Sequence, residues 1–179
     1  TGWADGVAGG RLEVQEAVAD GYQATREVWR YLLDIDLVAT IWAYRLPIDH
    51  PLLLMLANPR RMTMRIGDGL WVRLVDVGPA LSGRAYAGAD GVVFDVVDGF
   101  CEWNAGPWKL ADGHCRRTDE QPDLRLDVSA LGSAYLGGFT FGQLHRAGRV
   151  EELRPDAVAR ADALFHLDSM PYPWCPEMF

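Results

Sequence analysis

The sequence predicts an α+β fold: a short strand–helix–strand stretch, then an antiparallel or mixed sheet with about five helices. Three observations carry this reading. Short runs alternate apolar and polar residues with the period of two that a one-sided strand requires. Other windows place apolar residues at i, i+3, i+4 and i+7, the spacing of one helix face. Gly67-Asp68-Gly69 and Asp112-Gly113 stand between short runs, where tight antiparallel turns need residues that accept positive φ. At 179 residues and 49% apolar, the chain is long enough to bury a core.

In order along the chain, residues 1–10 read as a loop rich in Gly, Ala and Asp. Residues 11–19 alternate, with Leu12 and Val14 against Glu13 and Gln15, and predict a strand. Asp20 then caps a helix whose stripe is Ala24, Val28, Tyr31, Leu32 and Ile35, widened by Trp29 and Leu33. Residues 41–46 are a second strand. Asp49, His50 and Pro51 open a short helix over 52–57, with Pro in the tolerated first turn and Asn58-Pro59 as the stop. Residues 62–66 and 70–75 predict a hairpin, and 79–85 a helix. Val92–Val97 is an uninterrupted β-rich run and predicts a central strand.

Weaker strands flank Asp112-Gly113 at 108–110 and 115–117, and Leu124 and Leu126 alternate with Asp123, Arg125 and Asp127. A helix from Val128 carries Leu131, Gly132, Tyr135 and Leu136 on one face and ends at Gly137-Gly138. Thr140 caps a short helix to Ala147. Pro155 opens a last helix whose inner stripe is Ala157, Ala161, Leu164 and Phe165. Residues 170–179 hold three Pro, which forbid regular structure, while Tyr172, Trp174 and Phe179 argue that the tail docks.

Charge and motifs exclude several functions. A net charge of −8 argues against nucleic-acid or anionic-membrane binding. The longest apolar run, residues 52–57, is far short of the ~20 residues that span a bilayer. No basic n-region precedes an apolar h-region, so no signal peptide is read. Three cysteines without a cluster fit a reducing, cytoplasmic setting, and Cys101 and Cys115 read as buried thiols. His114 and Cys115 are adjacent and on a strand would face opposite ways, so they do not read as joint metal ligands. The phosphate-binding G-x-x-x-x-G-K-[ST], the zinc-binding H-E-x-x-H and the nucleophile elbow G-x-S-x-G are absent. No Arg or Gln has Gly three residues on, so the acetyl-CoA loop [RQ]-x-x-G-x-[GA] is absent too. A start at Thr1 reads as a processed or excised piece.

Several blocks carry a resemblance. They are D-H-P-L-L-L-M-L-A-N-P-R-R-M-T-M-R from Asp49, D-G-L-W-V-R-L-V-D-V from Asp68, D-V-S-A-L-G-S-A-Y-L-G-G from Asp127, and the terminal P-W-C-P-E-M-F. With residues 148–152 and 160–165, they resemble the C-terminal region of the Eis (enhanced intracellular survival) family of GNAT-class N-acetyltransferases. The resemblance implies that residues 1–46 close a second GNAT-like domain. It implies that 47–179 form a sterol carrier protein 2-like domain, with a boundary near Pro47. Acetyl-CoA would then be bound by a missing N-terminal domain of the same polypeptide, with no cofactor or metal in this chain. The family acetylates amines, including those of aminoglycosides and Lys side chains, and assembles as hexamers.

The same resemblance assigns the main-chain carboxylate of Phe179 as general base in the N-terminal domain's active site. A bound ammonium must lose a proton before its nitrogen attacks a thioester, and a nearby carboxylate attracts the cation and accepts or relays that proton. An ordinary α-carboxyl pKa near ~3.5 makes positioning of the cation a large part of that role. Glu177 would add negative charge, and Trp42 and Tyr44 would wall the acceptor cleft. Met178 departs from relatives that carry an acidic residue there. The chain alone is then expected to be inactive. The alternative is a sterol carrier-like module binding an apolar ligand, against which stands a core filled by its own Trp, Leu and Val side chains.

Overall fold

The computed structural model describes residues 3–4, 7–88, 90–166 and 175. They fall into two compact units that divide between Leu70 and Trp71, with Cys175 grouped with the first. The sequence reading places the division near Pro47. Little regular structure lies between the two positions, so no strand or long helix there marks a boundary in the sequence.

The first unit begins with a two-residue ladder, β1 (Trp3–Ala4) antiparallel to β2 (Val7–Ala8), inside the stretch read as loop. Next come β3 (Gly10–Val14), helix α1 (Gly21–Leu33) and β4 (Val38–Ala43). β3 and β4 pair in parallel, with Leu12 opposite Ile41 and Glu13 opposite Trp42. A parallel pair needs a crossover, and α1 supplies it. The helix starts after Asp20 as predicted, but its inner face differs from the expected stripe. Thr25 and Trp29 are buried, whereas Tyr31 is 71% exposed and Ala24 is exposed. Helix α2 (Leu52–Met55) is one short turn.

The second unit holds α3 (Val77–Ser82), β5 (Val92–Val97), β6 (Gly106–Ala111), β7 (His114–Arg117), β8 (Leu124–Asp127), α4 (Val128–Tyr135), α5 (Phe141–Arg146), β9 (Val150–Glu152) and α6 (Ala157–Phe165). The strand order is β7-β6-β5-β8-β9. β5 is central as expected, and its parallel pairing with β8 makes the sheet mixed. β6 and β7 turn through Asp112 and Gly113, both with positive φ, the geometry that matches strand twist in a two-residue loop. Asp127 caps α4 by accepting from the Ser129 N–H at 2.8 Å. Ala157, Ala161, Leu164 and Phe165 of α6 are all buried, the stripe read from the sequence.

The hairpin expected over 62–66 and 70–75 does not form; both stretches lie outside any ladder. Residues 71–75 are tied down another way. Val72 and Leu74 face inward and Trp71, Arg73 and Val75 outward. The Asn104 side-chain amide donates to the carbonyls of Leu74 and Val75, and Trp103 Nε1 donates to Val75. The segment crosses α4 so closely that a Cβ on Gly132 would stand 2.6 Å from the Val72 oxygen. Met64 and Ile66 have no buried face, being 53% and 80% exposed. Residues 62–66 alternate in sequence only, and no neighbouring strand among the described residues pairs with them. The docking expected of Tyr172, Trp174 and Phe179 lies outside the described residues.

Candidate functional site

Trp42 and Tyr44 lie two residues apart at the end of β4, so they share a face. Their ring centroids are 6.2 Å apart at 43°, and they are 39% and 37% exposed. The two rings are therefore neighbours, each partly exposed. Two residues that sequence reasoning missed join them. The Arg11 guanidinium sits 4.1 Å from the Trp42 ring centroid, and its Nη2 donates to the Tyr44 hydroxyl at 3.1 Å. The same nitrogen pairs with Glu13 Oε1 at 2.7 Å. Arg11 and Glu13 are two apart on β3, which places them on one face; the parallel register that sets them beside Trp42 was not legible. Glu177 and Phe179 lie outside the described residues.

Helix α1 follows a strand and lies between parallel strands, the setting in which a helix N-terminus can receive a phosphate. The residues present do not fit acetyl-CoA there. The loop over 15–20 carries Glu16 and Asp20 and no glycine before Gly21. Between this loop and α1 runs an open groove of about 470 Å³, floored by Val14, Val28 and Leu32. Glu16 and Glu27 are its charged lining residues, so a pyrophosphate would meet like charge.

Other titratable groups have structural partners. His50 Nδ1 accepts from the Leu52 N–H at 3.1 Å, and the Trp29 indole N–H lies 3.4 Å from Nε2. Burial lowers the His50 pKa, opposed by Asp49. Cys101 and Cys115 are buried, as expected, and burial pushes the Cys115 thiol up to about 12, which keeps it protonated. No group of three His, Cys, Asp or Glu residues able to hold a metal occurs among the described residues. No helix among them is long and apolar enough to cross a membrane.

In the second unit, three rings pack together within a largely aliphatic core. Phe141 stands 4.8 Å from Phe165 and 5.6 Å from Phe94, centroid to centroid. All three side chains are buried.

Comparison with known proteins follows the division into units. The sterol carrier protein domain family matches residues 77–176. The acetyltransferase (GNAT) domain family matches residues 1–74. An N-acetyltransferase of Streptomyces avermitilis is 44% identical over 95% of this chain and 42% of its own length. N-acetyltransferase Eis of Mycobacterium tuberculosis (strain ATCC 25177 / H37Ra) is 34% identical over 87% of this chain and 38% of its own. The crystal structure of Eis1 from Mycobacterium abscessus superposes with a TM-score of 0.81 at 39% identity, covering 94% of this chain and 44% of that one. The chain thus spans about two fifths of the length of the curated relatives it matches.

Proposed function

The chain belongs to the family of N-acetyltransferases that includes Eis, with its sterol carrier protein domain over residues 77–176, and from this premise we propose that it is the C-terminal portion of an enzyme that moves acetyl from acetyl-CoA to an amine. The observation that carries the proposal is identity of 34–44% to N-acetyltransferases over 87–95% of this chain. The acidic groove and the loop over 15–20 support placing the cofactor in the portion of the longer polypeptide that this chain lacks. The amine acceptor is of aminoglycoside or Lys type, and the working assembly is a homo-hexamer. Two buried, unbridged thiols, Cys101 and Cys115, support a reducing cytoplasmic setting.

In this reading the main-chain carboxylate of Phe179 enters the active site of the N-terminal domain and acts on the acceptor ammonium. It holds the cation by charge and takes or relays the proton that must leave before nitrogen attacks the thioester carbonyl. Glu177 adds negative charge, Trp42 offers a ring face to a cation, and Tyr44 offers a hydroxyl oxygen.

The test is release of free CoA thiol from acetyl-CoA and an aminoglycoside, with this chain and with the longer polypeptide. The longer polypeptide is expected to turn over and this chain to stay at the blank. Deleting Phe179 from the longer polypeptide is expected to lower the rate by about 100-fold. An undiminished rate without Phe179 removes the base assignment. Turnover by this chain alone removes the C-terminal-portion reading.

A further inference from the structure

We propose that Trp42, Tyr44 and Glu13 form a cage for an organic ammonium ion, and that Arg11 fills it as an internal stand-in that a ligand amine displaces. The proposal rests on the acetyltransferase reading only in naming that amine as the acceptor. Its ground is a convergence of three chemically different groups on one cation. The Trp42 ring face lies 4.1 Å from the Arg11 guanidinium carbon, the Tyr44 hydroxyl oxygen 3.1 Å from Nη2, and the Glu13 carboxylate 2.7 Å from Nη2. A ring quadrupole, a neutral acceptor and a negative charge are the three things that hold an alkylammonium in an aqueous site.

The cage is built by backbone register. Parallel pairing sets Glu13 directly opposite Trp42, and the period of two places Arg11 and Tyr44 on the same face. Its occupant is loosely seated. The Arg11 and Glu13 side chains are 46% and 48% exposed, and an ion pair in that exposure is weak. Arg11 hangs from a flexible stem, so its head can swing into solvent without disturbing β3. A ligand amine brings the same charge to the same three groups, and the chain's net charge of −8 raises its local concentration.

The experiment is a titration of this chain with n-butylammonium chloride, with sodium chloride at equal ionic strength as baseline. It is read on the Trp42 indole resonance, assigned through Trp42→Phe. Arg11→Ala is expected to bind about tenfold more tightly than the parent, while Arg11→Lys, which keeps a cation in the cage, binds like the parent. Trp42→Leu in the Arg11→Ala background, read on the Tyr44 ring resonances, is expected to lose the binding. Arg11→Gln serves if Arg11→Ala fails to fold, judged from the same spectra. Equal affinity of the parent and Arg11→Ala (or Arg11→Gln) overturns the proposal, as does tight binding that survives loss of Trp42. Acetyl transfer is not read here, so absence of turnover in the longer polypeptide overturns the enzyme reading and leaves the cage standing.

Discussion

At Asp98 one carboxylate takes four hydrogen bonds: from the Phe100 N–H at 3.0 Å, the Cys101 N–H at 2.9 Å, Asn104 Nδ2 at 3.0 Å and Arg73 Nη2 at 2.7 Å. Burial by itself would raise its pKa. The bonds from Cys101, Asn104, Phe100 and Arg73 outweigh burial and hold it down to about 2. A carboxylate depressed in the fold stabilises above its ordinary value of 3.8, and that contribution is lost as pH falls through about 2. Urea unfolding of the second unit is therefore expected to weaken between pH 4 and pH 2 on the order of linkage for such a group, and Asp98→Asn should flatten that acid limb. At neutral pH, Asp98→Ala is expected to cost about 2–3 kcal/mol, because it strands buried N–H donors. An unchanged midpoint in Asp98→Ala would overturn the role given to this carboxylate. Asn104 is fully buried and passes the order on, accepting from the Val77 N–H at 3.0 Å where α3 begins. Nothing in the spacing of these residues announces the network, since its members join a loop, a short 3-10 turn and an extended segment.

Among the elements, α5 shows how much a local signal can settle. Thr140 Oγ1 accepts from the Gln143 N–H at 3.0 Å, and Gln143 Oε1 accepts from the Thr140 N–H at 2.9 Å, a reciprocal capping box. The sequence marked this start, and six residues of helix follow. Thr140→Ala is expected to lower stability by about 1 kcal/mol in thermal or urea unfolding, and a loss near zero would mean that packing of Phe141 alone holds the helix. Helix α1 shows the opposite case. Its periodicity gives the helix, but the buried side is set by Trp29, which meets His50 edge-on at 5.6 Å. Val18 and Tyr31, both lining the groove, stay 68% and 71% exposed. The segment over 62–75 fails as a hairpin for a related reason. Alternation specifies a strand only where a second strand offers its peptide groups.

For the whole molecule, each unit supplies its own hydrogen-bonded sheet, and the filled ring cluster of Phe94, Phe141 and Phe165 bears on the ligand-binding alternative. An acyl chain could not enter among these three rings without repacking them. Titration with a fluorescent fatty acid is expected to give no saturable binding at any chain length. Saturable binding would revive the carrier reading and require Phe165 or Phe141 to move. The family matches divide the chain between residues 74 and 77, close to the Leu70–Trp71 division of the compact units.

What the sequence determined by itself was local and periodic. β5, the β6–β7 turn at Asp112-Gly113, the start of α4, the capped start of α5 and the inner stripe of α6 follow from pattern and cap chemistry within a few residues of one another. Trp42 and Tyr44 were legible as a pair for the same reason, being two apart on a strand. Tertiary structure decided everything that joins distant residues. It chose the parallel register that brings Glu13 and Arg11 to Trp42, the buried side of α1, the mixed sheet order, and the side-chain bonds that hold residues 74–75 in place of a ladder. The physical reason is that cap and turn energies depend on neighbours in the chain, whereas register and burial depend on which other surface is present to receive them.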